Sequence, residues 1–197
     1  MSSRKKGFTL VELLIVIVVI GVLSAMMMLS STEAVSSAKA ANIINNLRNW
    51  KTATLEWYAD NLDKVSANGQ ILNEDGTIKG NFAENVKPSE IAKYFNGSFT
   101  TDFQVTTGLG KYHVKDNGSG VEYWTDHIND GNKFIWFIGC QFADNDTSSS
   151  NKSLIEKLVA RANSVGLVYK DSALSKYTGN KGNNHRVWIM VNDFRDN

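Results

Sequence analysis

Chemistry in this chain centres on one carboxylate in an apolar setting. Glu12 lies within Phe8–Leu29, 22 residues otherwise interrupted only by Thr9, Gly21 and Ser24. A charged side chain inside a hydrophobic span is costly, so such a residue has a partner and a task. Arg4, Lys5, Lys6 and Gly7 stand directly before the span. Other reactive residue types are scattered. His113, His127 and His185 share no metal-ligand spacing with one another or with Cys140. Cys140 closes the run Phe134-Ile135-Trp136-Phe137-Ile138-Gly139-Cys140 and reads as a small buried hydrophobe. Asp144-Asn145-Asp146 resembles half of a calcium loop but lacks the glycine and terminal glutamate of an EF-hand; it reads as a solvated loop, with Asp144 and Asp146 as the metal candidates and calcium as the ligand candidate. Lys176–Arg186 reads as a glycine-containing, locally basic connection. No nucleophile–base constellation is visible. The expectation is no enzyme, no catalytic residue and no cofactor.

The elements that must position Glu12 begin with a helix. Phe8–Leu29, at about 1.5 Å per residue, is long enough to cross a hydrocarbon core of about 30 Å. The basic cluster before it should stay cytoplasmic, with the rest of the chain outside. Residues 30–62 contain neither proline nor glycine. Within them Ile43, Leu47, Trp50, Thr54 and Trp57 recur at spacings of four and three, broadened by Ile44 and Tyr58. That is an amphipathic stripe, which predicts that the helix continues to about Asn61 and lays one face on a partner surface. Beyond it, Asn68-Gly69 and Asp75-Gly76 mark turns in a polar loop, and Pro88–Phe95 reads as a short helix. Strands are predicted at Ser98–Thr106, Lys111–Lys115, Gly120–Trp124, Lys133–Phe142, Gly166–Lys170 and Arg186–Val191, with a helix at Ser153–Asn163. Short connections favour hairpin pairing. The fold class is α+β: a long N-terminal helix, membrane-spanning in its first half and amphipathic in its second, packed on an antiparallel sheet. Four parts follow: 1–7 as a basic N-terminal segment, 8–29 as a transmembrane helix, 30–62 as its amphipathic continuation, and 63–197 as globular head.

Net charge is +1, from 21 basic and 20 acidic residues, which gives no overall basicity and predicts no nucleic-acid partner. A single cysteine excludes an intramolecular disulfide. A secretory signal peptide cleaved near Ser24-Ala25, or a plain signal anchor, would account for the span but not for Glu12.

Gly7-Phe8-Thr9-Leu10-Val11-Glu12, after a basic leader and before an apolar run, resembles the processing site of type IV pilins and of the pseudopilins of type II secretion. The resemblance covers residues 1 to about 60 and implies a pilin-like fold, with 1–7 as a prepilin leader and 8–29 as a transmembrane or filament-core helix. It implies cleavage between Gly7 and Phe8 by a prepilin peptidase on the cytoplasmic side, and N-methylation of Phe8. It also gives Glu12 an assembly role, in which its carboxylate meets the N-terminal ammonium of its own chain or of a neighbour and sets axial register. There are departures: Leu29 stands where family members often carry a helix-kinking proline, and the C-terminal disulfide of many pilins has no counterpart. Implied partners are identical or homologous pilin subunits, the prepilin peptidase and methyltransferase, an inner-membrane assembly platform, and lipid before assembly. The implied location is the inner membrane as a single-pass precursor, then a surface pilus or a periplasmic pseudopilus. The leading expectation is a structural pilus subunit polymerised through its first helix. A pseudopilin of a secretion or DNA-uptake system is the alternative, with a membrane-anchored extracellular enzyme third.

Overall fold

A computed structural model describes residues 8–95, 103–108, 111–116, 121–141, 149–179 and 186–196. Helix α1 runs unbroken over Leu10–Asp60, about 76 Å at 1.5 Å per residue. The rest follows as strand β1 (Ile71–Leu72), β2 (Ile78–Gly80), the short helices α2 (Phe82–Asn85) and α3 (Pro88–Ile91), β3 (Phe103–Gly108), β4 (Lys111–Asp116), β5 (Glu122–Asp130), β6 (Lys133–Gln141), helix α4 (Ser149–Val165), β7 (Leu167–Val168) and β8 (Arg186–Asp193). β1 and β2 form a small hairpin, and the others make one sheet in the order β3-β4-β5-β6-β8-β7. Every pairing is antiparallel.

Alternation along the central strands explains how one sheet serves two faces. Phe134, Trp136, Ile138 and Cys140 of β6, with Val187, Ile189 and Val191 of β8, enter the core shared with α1. Ile135, Phe137 and Trp188 join Trp124 in a second cluster. The stripe on α1 is buried as its periodicity predicts: Ile43, Leu47, Trp50, Thr54 and Trp57 are all in the core, and it begins earlier, at Ser36 and Ala40. Thr54 is satisfied by donating its hydroxyl proton to the Trp50 carbonyl at 2.7 Å. Trp136 joins the helix to the sheet. It stacks on Phe82 with centroids 4.1 Å apart, meets Trp57, Tyr58 and Phe194, and donates its indole N–H to the Gly69 carbonyl at 2.9 Å.

Several elements differ from the expectations. The polar loop around Asn68-Gly69 and Asp75-Gly76 holds the β1–β2 hairpin; both glycines have positive φ, +84° and +79°, which suits residues without a Cβ. β5 runs on to Asp130 where the sequence suggested an end at Trp124. Its polar second half is kept in the sheet because the buried Asp126 carboxylate accepts a bond from Lys170 Nζ at 2.7 Å. Of the predicted strand Ser98–Thr106, residues 98–102 lie outside the described residues and the remainder belongs to β3. α4 is longer than predicted at both ends and β7 shorter. β8 continues past Val191 into a 3-10 turn, Phe194–Asp196, whose Phe194 is fully buried.

Candidate functional site

The apolar side chains along the first half of α1 are exposed. Every large apolar side chain from Phe8 to Met28 is at least 50% exposed, Phe8 at 88% and Leu10 at 80%. Among the described side chains burial begins at Ser36, so the helix is an exposed rod at one end and a core element at the other. An apolar surface of this extent on an isolated chain marks a membrane or protein interaction surface. α1 is also the one helix among the described residues long and apolar enough to span a membrane.

At the tip of the rod, Glu12 is turned back on the chain. The helix starts at Leu10, with Thr9 as its N-cap in extended conformation. The backbone N–H and the hydroxyl of Thr9 each donate to Glu12 Oε2 at 2.8 Å, and the Glu12 N–H donates to Thr9 Oγ1 at 3.2 Å. This reciprocal capping box satisfies donors that the first helical turn leaves orphaned, and its carboxylate lies where the helix dipole favours negative charge. Phe8 stands outside the helix. With Gly7 still attached, the nitrogen of Phe8 is an amide and not an ammonium, and Glu12 is held by the Thr9 cap. Both bonds fall on Oε2, which leaves Oε1 able to accept a bond from another chain. The spacing Thr-x-x-Glu ahead of an apolar run is itself a capping-box signal, so the role of Thr9 was legible in the sequence although the expectations above assign it none.

Of the other residues singled out, Cys140 is buried in the core, and burial pushes its thiol well above the usual range. His127 sits on β5 with its ring 5.5 Å from that of Phe134. His113 lies on β4. Gly7, Asp144, Asp146 and His185 lie outside the described residues. Among the described residues no three His, Cys, Asp or Glu side chains gather closely enough to hold a metal ion.

Electrostatics in the head concentrate at its C-terminal end. Arg195 donates to Asp193 through Nη2 at 2.7 Å and to Asp130 through Nη1 at 3.1 Å, and also reaches the Ser172 carbonyl. The hydrogen bonds from Arg195 hold the Asp193 carboxyl below the ordinary range.

Residues 2–28 match the family described as the prokaryotic N-terminal methylation motif. The chain is 31% identical over 143 residues to the type IV major pilin protein PilE of Neisseria gonorrhoeae, covering 71% of this chain and 77% of that one. It is 27% identical over 152 residues to a fimbrial protein of Neisseria meningitidis serogroup A, covering 77% and 82%. With the fimbrial protein EcpC of Eikenella corrodens it shares 31% identity over 111 residues, 56% of this chain and 70% of the other. No solved structure matches the chain.

Proposed function

The chain belongs to the type IV pilin family, and from that premise we propose that it is a structural subunit of a type IV pilus, built into the filament through the first half of α1. The observation that carries this reading is the division of α1: an exposed apolar rod, continuous with a segment that forms the core of the head. Side-by-side packing of such rods buries their surface at about 25 cal/mol per Å² of apolar area removed from water. The heads then cover the outside. The role is structural, the assembly multimeric and the location the cell surface. Relatives named as pilins and fimbrial proteins favour a pilus over a secretion pseudopilus.

Finer steps complete the proposal. Before assembly the rod resides in the inner membrane lipid, with Arg4, Lys5 and Lys6 on the cytoplasmic side. A prepilin peptidase cuts between Gly7 and Phe8, Phe8 is methylated, and an inner-membrane platform adds the subunit to the growing base. Cleavage converts the Phe8 amide into an ammonium beside the Thr9–Glu12 cap. Glu12 Oε1 then accepts a charge-assisted bond from the ammonium of the adjoining subunit, and this contact exists only in the correct register. Deleting the gene should abolish surface filaments that contain this chain as their main component. Filaments that persist unchanged without it would contradict the proposal.

A further inference from the structure

We propose that the flank formed by α4 and the middle of α1 is one half of a charge-complementary lateral contact between copies of this chain, and that the groove between the end of α1 and the β1–β2 hairpin is the other half. The inference rests on the filament reading and names a second contact, separate from the rod. Charge is divided unevenly along the mature sequence: residues 149–197 carry 8 basic against 4 acidic side chains, and residues 8–148 carry 10 against 16. On the α4 flank, Arg48 Nη2 donates to the Ser164 carbonyl at 3.5 Å. Lys157 and Arg161 precede Ser164 by seven and three residues, which puts them on the same helix face. Lys152 is exposed at the start of that helix. No ion pair among the described residues involves Arg48, Lys152, Lys157 or Arg161.

The groove holds about 820 Å³ and is lined by Asp63, Glu74, Asp75 and Glu90 against Lys64 and Lys79. Lys64 is already bonded to Asn61 Oδ1 at 2.9 Å. The two surfaces lie on opposite flanks of the head. α1 crosses β6 and β8, α2 and α3 cover the side of β4 and β5, and α4 lies on the side of the edge strand β7. A filament is an open assembly in which each subunit must present one patch to a different patch on its neighbour. Parallel rods therefore bring the left flank of one head to the right flank of the next. Arg48 precedes Asn61, the residue that caps α1 beside the groove, by 13 positions, about 20 Å along the axis, so the contact joins heads displaced along the filament. Exposed pairs of this kind are individually weak and screened by salt, and they act here by repetition at every subunit.

The test is a charge swap in cells that make the full chain. Lys157→Glu/Arg161→Glu should lower the chain in the sheared surface fraction by about tenfold, while processed chain accumulates in the membrane. Adding Glu74→Lys/Glu90→Lys should restore filaments to within about twofold of wild type. Normal filaments in the first variant, or no restoration in the second, would overturn the contact. So would a first variant that keeps its filaments and loses only binding to duplex DNA, because the flank would then serve a polyanion. If the reversed chain does not accumulate, Lys157→Cys/Glu74→Cys filaments treated with a bis-maleimide crosslinker decide the matter, since Cys140 is buried. A ladder of covalent multimers supports the contact, and monomers or dimers alone overturn it. Absence of filaments in the wild type would instead remove the pilus reading itself, a result visible before any variant is made.

Discussion

Replacing Trp136 separates the head from its helix, and the size of the effect follows from its surroundings. Trp136 is fully buried on β6 and is contacted by rings from α1 (Trp57, Tyr58), α2 (Phe82) and the C-terminal turn (Phe194). Trp136→Ala removes that shared surface, for which large aromatic truncations cost about 3–5 kcal/mol. It also leaves the Gly69 carbonyl without its indole donor, 2.9 Å away in the native chain. Trp136→Phe keeps the stack on Phe82 and loses the N–H, so its cost should be lower, about 1–3 kcal/mol for the unsatisfied carbonyl and the smaller ring. Against a total stability of about 5–15 kcal/mol, the alanine variant should be near the edge of folding. Chemical denaturation of the detergent-solubilised full chain, followed by tryptophan fluorescence and far-ultraviolet circular dichroism, measures both. A loss below about 1 kcal/mol for Trp136→Ala would refute the claim that one residue couples α1, the hairpin and the C-terminal turn. Equal losses for the two variants would show that the indole N–H, and not the ring packing, is what matters.

Glu12→Gln should keep the capping box, because an amide oxygen still accepts from Thr9, while losing the charge. Surface filaments should fall by about one to two orders of magnitude in a pelleted shear fraction. Thr9→Ala removes the cap and keeps the carboxylate, so filaments should persist; normal filaments in Glu12→Gln would refute register by charge. Gly139→Ala should cost about 1–3 kcal/mol, since the added Cβ would fall within the Trp188 ring, and thermal unfolding measures it. Asp193, whose folded pKa is lowered by Arg195, contributes stability that is present above the unfolded carboxylate value of about 3.9 and is lost as pH falls through the lower folded value. Asp193→Asn should therefore flatten the acid limb of a stability–pH profile below about pH 4, and an unchanged limb would refute the pairing.

The N-terminal third was legible because its signals are local and strongly periodic. Four-and-three spacing located the face of α1 that enters the core, and the continuity of the helix followed from the absence of proline and glycine between residues 30 and 62. β6 was legible for a different reason: a strand buried on both faces reads as an uninterrupted apolar run. The second half of β5 was not, because Asp126 looks like a turn residue until Lys170, 44 positions away, is placed against it. Phe194 was missed because its neighbours Asn192, Asp193, Arg195 and Asp196 are polar, and only the fold brings it onto Tyr58 and Trp136. At the site, the identity of Glu12 was visible in sequence and its bond to Thr9 was overlooked. The basic flank was countable in sequence, but the sheet order was needed to set it opposite the acidic groove.

The central claim is that the subunit enters a filament as a processed chain whose apolar rod begins at Phe8. The direct measurement is intact-mass and N-terminal fragment spectrometry of protein recovered from sheared surface filaments. The account predicts a single N-terminus at Phe8 carrying one methyl group, with the whole of α1 retained. A start at Met1, or a start after Ser24 that discards Glu12 and half of the rod, would contradict it.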